Sequence, residues 1–180
     1  LDLHKTLRQL PKVDLHRHME GSLRLETLTE VAREHGVNLP SYDIEELRPY
    51  VQFTDDVPDF YNFLSKMELL RQFYSAEEAV ERIAYEAVVD ACEDKIEYLE
   101  LRVSPAGKQI APEKVMENVV RAVARATQEC PIQVRLLVTI VREFGVKVAH
   151  QVLELALAYK SQGVVGLDLA GHEEIGRAHV

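Results

Sequence analysis

The chain is 180 residues long, 47% hydrophobic and 28% charged, enough for one domain with a core of its own. Thirty acidic residues against 21 basic ones leave a net charge of −9, which argues against nucleic acid or an anionic membrane as partner, since both reward positive charge. No apolar run approaches the ~18 residues of a membrane span and no signal peptide is visible, so no membrane partner is expected. The two cysteines, Cys92 and Cys130, form no Cys-x-x-Cys motif and fit a reducing, cytoplasmic setting.

Taken in order, β-branched runs alternate with longer helical patterns. A first strand is expected over 12–18. A helix follows over 25–35, with Leu25, Leu28, Val31 and Ala32 on one face and Gly36 as its stop. Residues 40–58 read as loop and short helix, and 59–72 as helix. Ser75 and Glu78 form a capping box for a helix running to 94. A second strand is expected over 96–104, and Pro112 opens a helix that ends near 129. A third strand over 132–141, a helix over 146–162 stopped by Gly163, and a fourth strand over 164–170 complete the pattern. Strands joined by helices of ten or more residues demand a parallel sheet. The fold class is α/β: the first half of a (β/α)8 barrel, strands in order 1-2-3-4, helices outside. A doubly wound open sheet is the alternative, without the support of a G-x-G-x-x-G after any strand.

The first strand carries the chemistry. Strict alternation places Val13, Leu15 and Met19, interrupted by Arg17, on one face and Asp14, His16, His18 and Glu20 on the other. A parallel strand is apolar toward its helices, so the polar face is expected inside the barrel. Histidines two apart on a strand have Cα atoms about 6.5 Å apart, close enough for both rings to meet one ion at about 2.1 Å. Zinc suits neutral imidazole, with iron or nickel as alternatives. A lone His-x-His is often fortuitous. This one ends the first strand of a barrel, at the rim where active sites of that fold lie, beside Gly21.

The run Lys12-Val-Asp-Leu-His-Arg-His-Met-Glu-Gly-Ser-Leu-Arg24, followed by Glu26-Thr27-Leu28, resembles the opening of the adenosine deaminase family. The resemblance continues through Phe63-Leu-Ser-Lys-Met67, Arg82-Ile-Ala-Tyr-Glu86, Tyr98-Leu-Glu-Leu-Arg-Val-Ser-Pro105 and Gly166-Leu-Asp-Leu-Ala-Gly171. It implies an α/β barrel, one Zn2+ ion, and hydrolytic removal of a purine 6-amino group, adenosine going to inosine and ammonia. His16 and His18 match two zinc ligands. Glu20 stands where adenosine enzymes usually carry a ribose-contacting Asp. Gly171 matches a glycine whose backbone binds a purine ring nitrogen. Phe63 and Met67 match an apolar pair over the substrate, though i, i+4 spacing alone reads as ordinary core.

Asp168 falls on the polar phase of the fourth strand, either as an outer partner orienting a zinc-site group or as half of a buried ion pair. Arg102 and Ser104 end the second strand and could serve the pocket, though a structural role is the first reading. His172 stands where the family more often has Asp. His4, His35 and His150 read as non-ligands. The family's remaining groups, a His-Ala-Gly-Glu motif, a further histidine and an Asp pair, lie beyond later strands, so no catalytic acid or base is expected within 1–180 and the chain alone is expected to be inactive. Residues 1–174 read as the native half-barrel. Residues 175–180 back-translate as ATC GGA AGA GCA CAC GTC, the start of a common sequencing adapter, and read as a non-native tail.

The partner implied is a small purine nucleoside or base. Glu20 keeps adenine and aminodeoxyfutalosine open as substrates, because adenine deaminases of this family commonly show His-x-His-x-Glu-Gly. A metal-dependent phosphoesterase and a non-catalytic homologue are readings of other classes. A cytidine-type deaminase would need a Pro-Cys-x-x-Cys that is missing.

Overall fold

The computed structural model describes residues 2–54, 59–107 and 109–172. The expected tail, 175–180, lies outside the described residues. The chain begins with a helix absent from the expected elements, α1 (Leu3–Gln9), capped by the Asp2 carboxylate, which accepts from the Lys5 amide. None of its residues is buried, although Leu3, Leu7 and Leu10 recur at helical spacing. Then follow β1 (Lys12–His18), α2 (Leu25–His35), α3 (Ile44–Val51) and α4 (Phe60–Arg71). After these come α5 (Glu77–Glu93), β2 (Ile96–Val103), α6 (Pro112–Glu129), β3 (Gln133–Val141), α7 (Gly145–Ala158) and β4 (Val164–Ala170).

The four strands form one parallel sheet in the order β1-β2-β3-β4. With helical crossovers throughout, this is the first half of a (β/α)8 barrel, as the alternation predicts. Leu99, Leu101 and Val103 of β2 and Leu136 and Val138 of β3 are buried in the core beside Ile83, Ala87, Val119 and Ala122 of α5 and α6. The intervening positions Glu100, Arg102 and Arg135 belong to the opposite face. Alternation along the strand has therefore sorted an apolar, helix-covered side from a polar one.

Helix boundaries follow local chemistry. Gly36 closes α2 at φ 69°, a left-handed conformation that costs glycine little, and its N–H donates to the Ala32 carbonyl. Pro112 opens α6 at a position where its missing N–H is no loss. The expected capping box fails: Ala76 is the N-cap of α5, and the Ser75 hydroxyl makes no hydrogen bond among the described residues. Phe73 and Tyr74 are fully buried just upstream. The last helix is also shorter than expected. It ends at Ala158, and a 3-10 turn, Lys160–Gln162, leads to Gly163.

The largest departure is in β1. Asp14 pairs with Leu99 and Arg17 with Leu101, so three steps of β1 match two of β2. This irregularity breaks strict alternation. Asp14 and Arg17 come to one side, where the carboxylate accepts from Arg17 Nε at 2.8 Å. Asp14 therefore does not share the His18 face, as alternation had it, and Arg17, which interrupted the apolar phase, has its ion-pair partner there. Val13 and Leu15, expected to pack beneath helices, are instead exposed.

Candidate active site

His18 closes β1 and pairs with Arg102, so the two share the polar side of the sheet. His16 lies within the irregular stretch, its amide held by the Asp14 carboxylate at 3.1 Å. The two rings converge, with centroids 5.2 Å apart and Nε2 atoms 3.3 Å apart. Two nitrogens at about 2.1 Å from one ion, at a tetrahedral angle, would stand about 3.4 Å apart. The observed spacing is compatible with two ligands of one ion, and equally with a hydrogen bond between the two rings. Burial holds the His18 imidazolium below its ordinary pKa, opposed by the Glu20 and Asp168 carboxylates, so the ring favours the neutral form that can ligate. Among the described residues no group of three or more His, Cys, Asp or Glu is placed to hold a metal.

Around this pair each of the other three strands contributes one polar group. Arg102 Nη1 donates to the Leu15 carbonyl at 2.7 Å, and Arg102 Nε lies 3.6 Å from the Asp168 carboxylate. The Thr139 hydroxyl donates to the other Asp168 oxygen at 3.2 Å. Asp168 is thus half of an ion pair, one of its two expected roles. Glu20 begins the 3-10 turn after β1 and is 1% exposed.

A cleft of about 390 Å³ at this rim is lined by His18, Glu20, Phe63, Met67, Ser104 and Gly171. A second cleft, on the His16 side, shares His18, Phe63 and Met67. Helix α4 crosses this end of the sheet: the Phe60 and Tyr61 rings lie 6.2 and 5.7 Å from that of His172, and Phe63 stacks on Phe53. Gly171 takes φ 98°, and a Cβ there would lie 1.9 Å from Glu143 Oε2. The positive φ favours glycine here, and a side chain would also have to displace the Glu143 carboxylate. The neighbouring His172 amide donates to Glu143 Oε1 at 3.0 Å.

His16, His18, Glu20, Phe63, Met67, Asp168 and Gly171 therefore gather at one rim, with His18 between the two clefts. His4 lies in α1, His35 at the end of α2 and His150 in α7. Sequence reasoning gave Arg102 and Ser104 a structural role ahead of a pocket one and did not single out Thr139 or Glu143. The available signal was position: Arg102, Ser104 and Thr139 lie on the polar phase at the C-terminal ends of β2 and β3.

Comparison with known proteins agrees with this geometry. The sequence profile of the family described as Adenosine deaminase matches residues 11–180, a span that runs on through the expected tail. The adenosine deaminase of Proteus mirabilis is 37% identical over 169 residues, covering 92% of this chain and 50% of that protein. The chain thus spans about half the length of the curated relatives it matches. The N6-methyl-AMP deaminase of Arabidopsis thaliana superposes with TM-score 0.76 at 29% identity, covering 93% of this chain and 51% of its own. A zinc-bound amidohydrolase from Burkholderia ambifaria shares the fold, with TM-score 0.81 at 22% identity, over 96% of this chain and 48% of its own. Arranged as a half-barrel with a histidine pair at its rim, the chain belongs to the adenosine deaminase family.

Proposed function

We propose that the protein to which this chain contributes is a zinc-dependent hydrolase that removes the 6-amino group of adenosine, yielding inosine and ammonia. The observation that carries this reading is the 3.3 Å spacing of His16 and His18 Nε2 at the rim of the first strand. Both imidazoles would hold the ion through Nε2. Zinc, when bound, supplies an acidified water for attack on the purine ring. Glu20, buried beside His18, is suited to accept from a ribose hydroxyl, and the backbone at Gly171 to meet a purine ring nitrogen. Phe63 and Met67 on α4 border the cleft and would exclude water from it. Arg102 and Thr139 keep Asp168 in place on the floor.

Two histidines do not complete a catalytic zinc site, which takes three protein ligands and an open position. The other ligands and the acid that protonates the ring are read as lying outside residues 1–180. Residues 1–180 alone are expected to give no turnover and weak zinc affinity. The test is ultraviolet absorbance loss on adenosine, for the 180-residue chain and for a protein of the relatives' full length. Zinc-dependent turnover by the 180-residue chain would overturn the assignment of the missing groups. In the longer protein, His16→Ala or His18→Ala should abolish zinc retention and turnover together. Glu20→Ala should impair adenosine about tenfold more than free adenine, the worth of a hydrogen bond to a charged group. Equal losses on the two would remove the reason for preferring a nucleoside to the free base.

A further inference from the structure

Arg102 does more in this structure than balance a charge. It is 9% exposed, and its guanidinium reaches across the sheet in two directions. One nitrogen donates to the Leu15 carbonyl at 2.7 Å, inside the stretch where β1 loses register with β2. Another faces Asp168 of β4 at 3.6 Å, and Asp168 is itself held by the Thr139 hydroxyl of β3. Leu15 immediately precedes His16. A strand that has slipped register there lacks the regular ladder that would otherwise fix its backbone. The contacts that replace it are the Asp14 carboxylate on the His16 amide and the Arg102 guanidinium on the Leu15 carbonyl.

We infer that Arg102 is a positioning residue for the histidine pair: by clamping the Leu15 carbonyl it sets where the His16 ring stands relative to His18. Asp168 and Thr139 act one step further out, by orienting the guanidinium. The inference rests on the zinc reading above. It differs from a purely structural ion pair in one respect. The clamp acts through a backbone carbonyl of β1, so its loss should be felt at the metal even when no buried charge is left unpaired.

The experiment uses the protein at its relatives' full length and removes Arg102 in an Asp168→Asn background, so that the double variant carries no uncompensated buried carboxylate, while Asp168→Asn alone keeps the guanidinium on the Leu15 carbonyl without its carboxylate. Zinc affinity is measured by competition with a chromophoric chelator, and cobalt is substituted to read ligand geometry from its visible spectrum. The double variant Arg102→Met, Asp168→Asn should bind zinc at least ~10-fold more weakly than Asp168→Asn alone, the range expected when a ligand's supporting partner is lost. Its cobalt bands should shift while its melting temperature stays near that of Asp168→Asn. Arg102→Gln in the same background carries the same expectation if the methionine variant does not fold. Arg102→Lys, which keeps one donor for the Leu15 carbonyl, should recover most of the affinity. Equal zinc affinity with and without Arg102 overturns the inference and leaves the zinc reading standing. An unmutated protein without zinc affinity overturns both.

Discussion

The middle of the sheet and its edges are built from the same kind of sequence and end in different environments. Leu101 of β2 and Leu136 of β3 are at most 1% exposed, whereas Leu15 of β1 and Leu169 of β4 are 55% and 57% exposed. All four are leucines on β-strands of the same parallel sheet. What separates them is the number of neighbours. β2 and β3 each have a strand on both sides and lie beneath α5, α6 and α7, while among the described residues β1 and β4, the two ends of the half-barrel, are each paired on one side only. Burial is thus a property of position in the sheet. The candidate chemistry follows the opposite distribution. The histidine pair is on β1 and Gly171 follows β4, while the middle strands supply the supporting groups Arg102, Ser104 and Thr139.

The largest expected effect tests that contrast through stability. Leu101→Ala should cost the 180-residue chain about 2–5 kcal/mol, and Leu15→Ala less than about 1 kcal/mol, because only the first leaves a closed cavity. Urea denaturation of both variants measures the difference. Equal losses would mean that the edge is packed after all.

A smaller effect concerns Ser104, at the end of a middle strand but lining the cleft. Its hydroxyl is 2% exposed and has no hydrogen-bond partner among the described residues. A structural hydroxyl would lose stability on removal, whereas one that serves a ligand would not. In the full-length protein Ser104→Ala should leave the melting temperature unchanged or raise it, and should raise KM for adenosine about three- to tenfold. A lowered melting temperature with unchanged KM would assign Ser104 to the scaffold.

The smallest effect lies behind the middle strands, at the C-terminal ends of α5 and α6. Burial, with a contribution from the neighbouring Cys92, pushes the Cys130 thiol up to about 11. Because the pKa is raised, the reactive thiolate is scarce at pH 8 and grows as pH rises toward 11. Alkylation of Cys130 by iodoacetamide should therefore be slow at pH 8 and accelerate steadily up to that value. A rate at pH 8 equal to that of a free cysteine would show that the helix ends are more open than the packing implies.

Much of this could be read beforehand. The strands over 12–18 and 164–170 and the helices over 25–35 and 112–129 fall where periodicity and stop residues place them. Gly36 and Pro112 act through their own backbone chemistry, so no distant contact was needed to foresee them. The Leu3, Leu7 and Leu10 spacing that could have announced α1 was passed over, and nothing in the fold buries it, while the Ser75 cap failed because α5 starts one residue later than the box requires, with Ala76 as its N-cap. At the site, the residue types and spacing of His16, His18 and Gly171 were visible in a line of text. The irregular register that turns Asp14 toward Arg17 was not, since it depends on how β1 lies against β2.

The sequence by itself determined the alternation of strands and helices, and hence a parallel sheet, because hydrophobic period and turn residues act over a few positions. It also determined which side chains could ligate a metal. Only the tertiary structure decided that Arg102, 87 positions away, would hold the Leu15 carbonyl. It likewise decided that Glu20, Ser104 and Gly171 would line one cleft, and that Leu15 and Leu169 would stand exposed while Leu101 is buried. These outcomes depend on which strands and helices become neighbours, a long-range matter on which local periodicity carries no information.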